Sequence, residues 1–268
     1  MDRICVLLIW SVVGMKAADE PILEKPKPFE VSVQGSFSYG FVDGFMQVPA
    51  GGTPGSSTPN RPTFHELKID DGGFYDTRMN LRWRQLEFFG GYQAMDFDSS
   101  GTLSRTLVSR SKTFPSGTHF KTEDDFDWFR VGVGWNFELL DRRLEIMPKA
   151  DLAVLNFSYK LSGGGESVSR SYAKPAARLG LEGRYHLTSR VSFEVDGTAS
   201  IPVSNMPQIA TATATVNFSL LPRPRRVNPS IFVGGGFERI DYEDNQPLPN
   251  HTRVDMGPFA TVGLRISL

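Results

Sequence analysis

Cysteine is almost missing from this sequence: of 268 residues only Cys5 is one. No disulfide can form within the chain, and no zinc site built on cysteine can either. Four scattered histidines supply no transition-metal constellation, so no metal and no cofactor are expected. Charge of one sign is missing too, with 29 Lys and Arg against 30 Asp and Glu. That balance gives no reason to expect nucleic acid as a partner. Beyond the N-terminus there is no apolar run long enough for a membrane-spanning helix. The glycine stretches GFVDG and VGGGFE lack the following helix that a phosphate loop requires, and mark kinks and crowded strand crossings instead.

The one apolar run stands at the start, MDRICVLLIWSVVGMKAADEP. Arg3 is a thin basic region, Ile4 to Gly14 an apolar core of signal length, and Ala17-Ala18 small residues before Asp19-Glu20. Residues 1–18 are read as a secretory signal. Cys5 lies inside it and ends no lipobox, so no lipid anchor is expected. Residues 19–28, with PILEKPKP, form an extended lead-in, and 29–268 a single domain. An exported protein of this size without disulfides draws its stability from elsewhere.

What is abundant is alternation with a period of two. In AKPAARLGLEGRYHL, Ala173, Pro175, Ala177, Leu179, Leu181, Tyr185 and Leu187 alternate with Lys174, Arg178, Glu182, Arg184 and His186. This is the pattern of a strand with two unlike faces. Ten such strands follow from Phe29 to the last residue, among them FEVSVQGSFSYGF, FYDTRMNLRWR, DWFRVGVGWNF, RVSFEVDGTASI and IATATATVNFSL. In RLEIMPKADLAV the phase slips near Leu155, where a bulge is expected. The connections alternate as well. WRQL, LLDRR, LTSR and LPRPRRVN are short or fairly short, whereas the stretches after strands one, three, five, seven and nine are mostly longer. Among the longer ones are SGGGESVS after the fifth and PVSNMPQ after the seventh.

Loop sorting of this kind fits a transmembrane barrel with short periplasmic turns and longer outside loops. Pro148, Pro175 and Pro258 fall on the apolar faces of strands, out of place in a packed interior. The last strand alternates Val262, Leu264, Ile266 and Leu268. Over residues 28–268 the chain resembles the outer-membrane β-barrel proteins of Gram-negative bacteria. Its ATVGLRISL is similar to their terminal assembly signal, from which Leu268 departs where the family usually has Phe. The fold class expected is all-β: a closed up-and-down antiparallel transmembrane β-barrel of about ten strands. The resemblance implies residence in the bacterial outer membrane, contact with its lipid and lipopolysaccharide, delivery by the outer-membrane assembly machinery, and a monomer.

In such a barrel the charged face looks inward. A lumen network is expected from Arg78, Arg82, Arg130, Glu145, Lys149, Asp151, Lys174, Arg178, Glu182, Arg184, Glu194, Asp196, Glu238, Asp255 and Arg265. Barrels of about eight strands are filled by side chains, and aqueous pores typically need about sixteen. Ten strands with mixed charge predict a largely plugged barrel with a structural or surface-interaction role; a narrow selective pore for small solutes or ions is the alternative. Aromatics near strand ends, Phe41, Phe45, Trp83, Phe88, Trp128, Trp135, Phe137, Tyr159 and Tyr185, are assigned to interfacial girdles.

Chemistry is sparse. Asp96 and Asp98 open the second outside loop and resemble the acidic pair of the omptin proteases, which are ten-stranded barrels. That family needs a further Asp–His pair in the fourth outside loop, here PVSNMPQ, which has neither; His251 stands in the fifth, near Asp241 and Asp244. His186 and Ser189 sit at an expected periplasmic turn, the wrong end for a lipid-cleaving Ser–His site acting on the outer leaflet. No catalytic residue is assigned. In the first outside loop Thr63, Phe64, His65 and Glu66 have the spacing of a capping box, which predicts a short helix over 63–69 at the mouth.

Overall fold

The computed structural model describes residues 28–49, 59–221 and 227–268. The signal assigned to 1–18 and the lead-in before residue 28 lie outside the described residues. Among the described residues thirteen strands run in chain order: β1 Phe29–Gln47, β2 Asp71–Trp83, β3 Leu86–Thr102, β4 Leu107–Ser109, β5 Lys112–Phe114, β6 His119–Trp135, β7 Phe137–Leu139, β8 Leu144–Gly163, β9 Glu166–His186, β10 Val191–Ser200, β11 Gln208–Ser219, β12 Asn228–Glu243 and β13 His251–Ser267. Ten of them close a ring. β6 follows β3, β2, β1, β13, β12, β11, β10, β9 and β8 around the sheet and then pairs with β8 itself. Every pairing is antiparallel. β4 and β5 form a separate hairpin, and β7 adds three residues beside the start of β8.

Two levels divide the barrel. In the lower level, next to Phe29 of β1 and Ser267 of β13, apolar side chains point outward: Val131 is 64% exposed, Leu152 63% and Leu179 57%. Arg78, Lys149, Asp151, Arg178 and Glu194 are buried inside. In the upper level the faces exchange character without exchanging direction. Ala153, Leu155, Phe157, Tyr159 and Leu161 follow Lys149 and Asp151 along the inward face of β8, and all five are buried. They join Phe64, Leu67, Met95, Phe97, Phe126 and Trp128 in one apolar core. The strands thus outgrow the lipid, and above it the ordinary rule of apolar-in and polar-out returns.

This corrects the bulge expected near Leu155. The register of β8 with both β6 and β9 runs unbroken through that residue. Its apolar phase changes because the surroundings change from lipid to water, not because the backbone slips. The irregularity lies in β13, where Gly257 and Pro258 together face Phe41 of β1 and Phe237 of β12. Gly257 sits at φ +132°, and a Cβ there would meet Phe237 Cδ1 at 2.8 Å and the Gly236 carbonyl at 2.9 Å. Above the bulge Thr252, Val254 and Met256 are buried inward, so Asp255 points outward. Asp255 therefore does not belong to the lumen: it pairs with Arg239 and, at 2.6 Å, with Arg253 on the outer face.

The same two-level logic corrects the girdle. Trp83, Phe88, Trp135 and Phe137 are exposed on the outside of the barrel, but Trp128 and Tyr159 are buried within the upper core. It also changes the outside loops. The stretch SGGGESVS is no loop: β8 and β9 continue to Gly163 and Glu166, joined by Gly164 and Gly165 at φ +60° and +82°. Positive φ at both turn residues is the hairpin geometry that glycine supplies at little cost. β10 and β11 are much shorter, 10 and 12 residues against 20 and 21 in β8 and β9, so the wall is tall on one side and low on the other.

The mouth helix does not form. Leu67 N–H donates to the Thr63 carbonyl at 3.0 Å, Lys68 reverses the chain at φ 60°, and Ile69 N–H returns to the Phe64 carbonyl. The capping contacts are nevertheless present: Glu66 N–H donates to Thr63 Oγ1 at 3.3 Å and Thr63 N–H to Glu66 Oε2 at 3.1 Å. A single turn results because Phe64 and Leu67 are both drawn into the core below, and extending the helix past Lys68 would lift them out.

Candidate functional site

The lower lumen is built from alternate residues of six neighbouring strands, β2, β3, β6, β8, β9 and β10, and is completed by Arg265 of β13. Arg78 of β2 reaches across to Glu182 of β9 at 3.0 Å and to Asp196 of β10 at 3.6 Å, with Glu87 of β3 at 3.4 Å. Lys149 of β8 joins Asp196, and Glu182 at 3.7 Å. Nearer the short turns, Arg184 contacts Glu194 at 2.8 Å, Glu182 at 3.3 Å and Glu145 at 3.8 Å. Arg82 contacts Glu145 at 3.3 Å and Glu138 at 2.9 Å. Arg265 grips Glu194 through two 3.0 Å bonds. Arg178 grips Asp151 at 2.7 and 2.9 Å, and Arg130 meets Asp76 at 2.6 Å.

Glu238 differs from these carboxylates. It accepts a 2.6 Å bond from Gln93 rather than from a cation. Lys174 also stands apart. Its side chain faces inward from β9 but above the network, with Nζ 5.3 Å from the Tyr242 ring centroid and no ion pair among the described residues.

Groups the sequence reading left out complete the site. Glu138 anchors Arg82, Gln93 holds Glu238, and Phe89 lies under Arg78 at 4.7 Å and Lys149 at 5.8 Å. Trp128 is flanked by Arg178 at 4.3 Å and Arg130 at 4.7 Å, so its ring joins the charged lumen to the apolar core above. Alternation with Phe89, Gly91 and Met95 could have placed Gln93 inward. Glu138 is the middle residue of β7, one residue beyond the stretch DWFRVGVGWNF, and the outward Trp135 and Phe137 with the inward Asn136 could have placed it inward too.

The opposite side of the lumen is mostly hydroxyl-bearing, with Glu238 and Arg265 its inward charges. Ser36 and Ser38 of β1, Thr211, Thr213 and Thr215 of β11, and Thr261 of β13 line a central cavity of about 130 Å³ facing the ion pairs. A second recess of about 220 Å³ opens at the end of the short turns, and Arg265 borders both. Above the central cavity stand Phe74, Trp128 and Phe259, each at most 6% exposed. Over the mouth, Arg105 clamps Glu66, donating from Nη2 to Oε2 at 2.9 Å, while Leu107 and Phe114 of the β4–β5 hairpin are fully buried beneath it.

Asp96 and Asp98 lie on the outer face of β3, opposite Asp125 and Glu123 of β6. His251 Nε2 lies 3.0 Å from Asp241, on the outer face of β12 and β13. β2 and β1 stand between the acidic pair on β3 and this histidine on β13.

Ring closure pairs the strands of the lower half on both sides, and that half turns apolar side chains outward all the way round. Only a bilayer makes that surface stable. The fold is that of an outer-membrane β-barrel. Its place is the outer membrane, with the short connections and the Phe29 and Ser267 ends of β1 and β13 on the periplasmic side. No family model matches the sequence, and no curated protein matches it. Solved structures similar to it include the outer membrane protease OmpT from Escherichia coli, with 10% identity and TM-score 0.49 over 88% of this chain and 97% of that one. Others are Ail, the attachment invasion locus protein of Yersinia pestis, with 10% identity and TM-score 0.34 over 88% and 99%, and Neisserial surface protein A, with 10% identity and TM-score 0.32 over 90% and 98%. At these identities the likeness is one of fold alone.

Proposed function

We propose that this barrel is a non-conducting outer-membrane protein whose role is structural or is carried by its extracellular surface, and that it acts as a monomer amid outer-membrane lipid and lipopolysaccharide after insertion by the outer-membrane assembly machinery. The observation that carries the reading is a double seal. Interlocked ion pairs cross the lower lumen, and an apolar core from Phe64 to Trp128 fills the space above them. A hydrated ion would have to part charges 3.0 Å from one another and then cross a layer made mostly of apolar side chains. Single-channel recording on the refolded barrel in planar bilayers tests this. Steps absent at 1 M salt agree with the proposal; reproducible, ion-selective steps sink it.

The second reading is a narrow pore for small solutes or ions. It is favoured by the hydroxyl-lined side of the lumen, which runs beside the ion pairs and meets the periplasmic recess at Arg265. The same recording decides between the two. A hydrolytic role has less support, because the acidic pair at Asp96 and Asp98 and the Asp241–His251 pair stand on separate outward faces. Peptide cleavage abolished by Asp96→Asn and Asp98→Asn would reinstate it.

A further inference from the structure

The low side of the barrel leaves a notch in the extracellular wall. β9 pairs with β10 only up to Arg178 opposite Ser200, yet β9 continues to Glu166. Between its upper inner face and the loops at 201–207 and 244–250 lies a pocket of about 390 Å³. That volume falls within the roughly 300–1,000 Å³ of small-ligand pockets.

Two unused cations border it. Arg170 and Lys174 form no ion pair among the described residues, and Arg170 Nε has no hydrogen-bond partner. The nearby carboxylate is committed elsewhere: Asp244 accepts from the Asn250 backbone N–H at 2.9 Å and from its Nδ2 at 2.6 Å, clasping the 244–250 loop. Asn250 is buried, and its Oδ1 is unpartnered. Asn245 N–H donates to Asn205 Oδ1 at 2.8 Å, which ties the two loops together and leaves the Asn245 amide and Asn205 Nδ2 unengaged by that bond. Tyr172 lies half-buried between Phe157 and Tyr242, with ring centroids at 4.7 and 4.8 Å. Two cations in no ion pair against one hydrogen-bonded carboxylate, side-chain amides and an aromatic wall together select a ligand with a negative charge, several hydroxyls and an apolar ring face.

The notch also exposes a strand edge, which raises strand addition by a peptide as a competitor. The edge is blunted. Ile201 N–H donates to the Ala177 carbonyl, so residues 169, 171, 173 and 175 direct their backbone groups to the same side. Pro175 has no N–H to offer, and the Arg110 guanidinium occupies the Ser169 carbonyl. Of these four, Ser171 and Ala173 alone keep both groups open, a run too short for a strand.

We infer that the notch between β9 and the 201–207 and 244–250 loops is a binding site for an acidic saccharide, its carboxylate held by Arg170 and Lys174 and its hydroxyls by the loop amides. This rests on the surface-interaction reading above and gives it a ligand class.

The test is saturation-transfer NMR on the refolded full barrel with D-galacturonic acid as probe and D-galactose as its neutral counterpart. The expected result is saturable transfer to the acid, galactose weaker by about tenfold or more, and a loss of about tenfold in Lys174→Gln and in Arg170→Gln. Heat-modifiable migration on gels verifies that each variant is folded. Asn245→Ala, in a surface loop, is the second variant should either charge change impair folding, and it also weakens binding. No transfer, equal transfer from both sugars, or folded variants that bind like the parent overturn the inference. Competition by acidic core oligosaccharide from lipopolysaccharide places the ligand in the protein's own membrane. Competition only by free oligogalacturonate places it outside, and failure of both to displace the probe rejects the site. Conductance recorded on the same preparation judges the sealed lumen separately.

Discussion

Arg178 and Asp151 are cross-strand partners on β9 and β8, joined by two charge-assisted bonds of 2.7 and 2.9 Å. Their side chains are 2% and 1% exposed, which makes this the most enclosed ion pair in the lumen. A buried pair of this kind gains little over a packed apolar pair, but a lone survivor is costly. Asp151→Ala should therefore destabilise the barrel by about 3–5 kcal/mol, whereas Asp151→Leu with Arg178→Met should cost far less. Urea unfolding in lipid vesicles, followed by the folded-to-unfolded gel shift, measures both. Equal losses for the single and double variants would contradict the argument.

Position along a strand should matter as much as face. Val131 and Asp125 both point outward from β6, but Val131 lies in the apolar belt and Asp125 above it beside Asp96. Val131→Arg is expected to cost about 2–4 kcal/mol in a bilayer, as for a cation on the lipid face near the midplane. Asp125→Arg is expected to be neutral or slightly stabilising, because it relieves repulsion among neighbouring carboxylates. Vesicle unfolding of the two variants side by side would expose a wrong placement of the membrane.

The mouth turn should be sensitive to acid. Burial alone would raise the Glu66 carboxyl, but the Arg105 and Thr63 hydrogen bonds and the Arg105 charge outweigh it and hold it below its ordinary value of 4.5. A depressed carboxyl contributes its stabilisation above the unfolded value and loses it as pH falls through the lower folded one. Amide exchange at Thr63 and Leu67 should then accelerate below about pH 4.5, and Glu66→Gln should flatten that dependence. Identical pH profiles in the two proteins would remove Glu66 as the cause.

The bulge in β13 should tolerate no side chain at Gly257. With φ at +132° and contacts of 2.8 and 2.9 Å waiting for a Cβ, Gly257→Ala is expected to cost at least about 1–3 kcal/mol. It should also perturb the Arg239–Asp255–Arg253 ladder, since that bulge turns Asp255 outward. Chemical-shift changes confined to position 257 would separate local strain from this coupling.

Much of this protein was legible in its residues, because a membrane barrel writes its two environments into a period of two. Alternation at Lys174–Tyr185, the sorted connections and the outward prolines at 148, 175 and 258 suffice for ten strands, closure and an inward charged face. Strand register is also nearly forced, since a slip of one residue would turn Arg178 or Glu182 into lipid. Alternation alone, however, does not say where lipid ends. A run such as Ala153, Leu155, Phe157 reads as a phase slip until neighbouring strands show that the same face has risen out of the bilayer into a closed core. Only the tertiary structure set that height, and with it the burial of Trp128 and Tyr159 and the single turn at Thr63–Glu66. It alone also brought together Arg78 with Glu182 and Asp196, and opened the notch above β10. Those relations depend on residues far apart in the chain meeting across a closed ring, and a local period carries no information about distance across it.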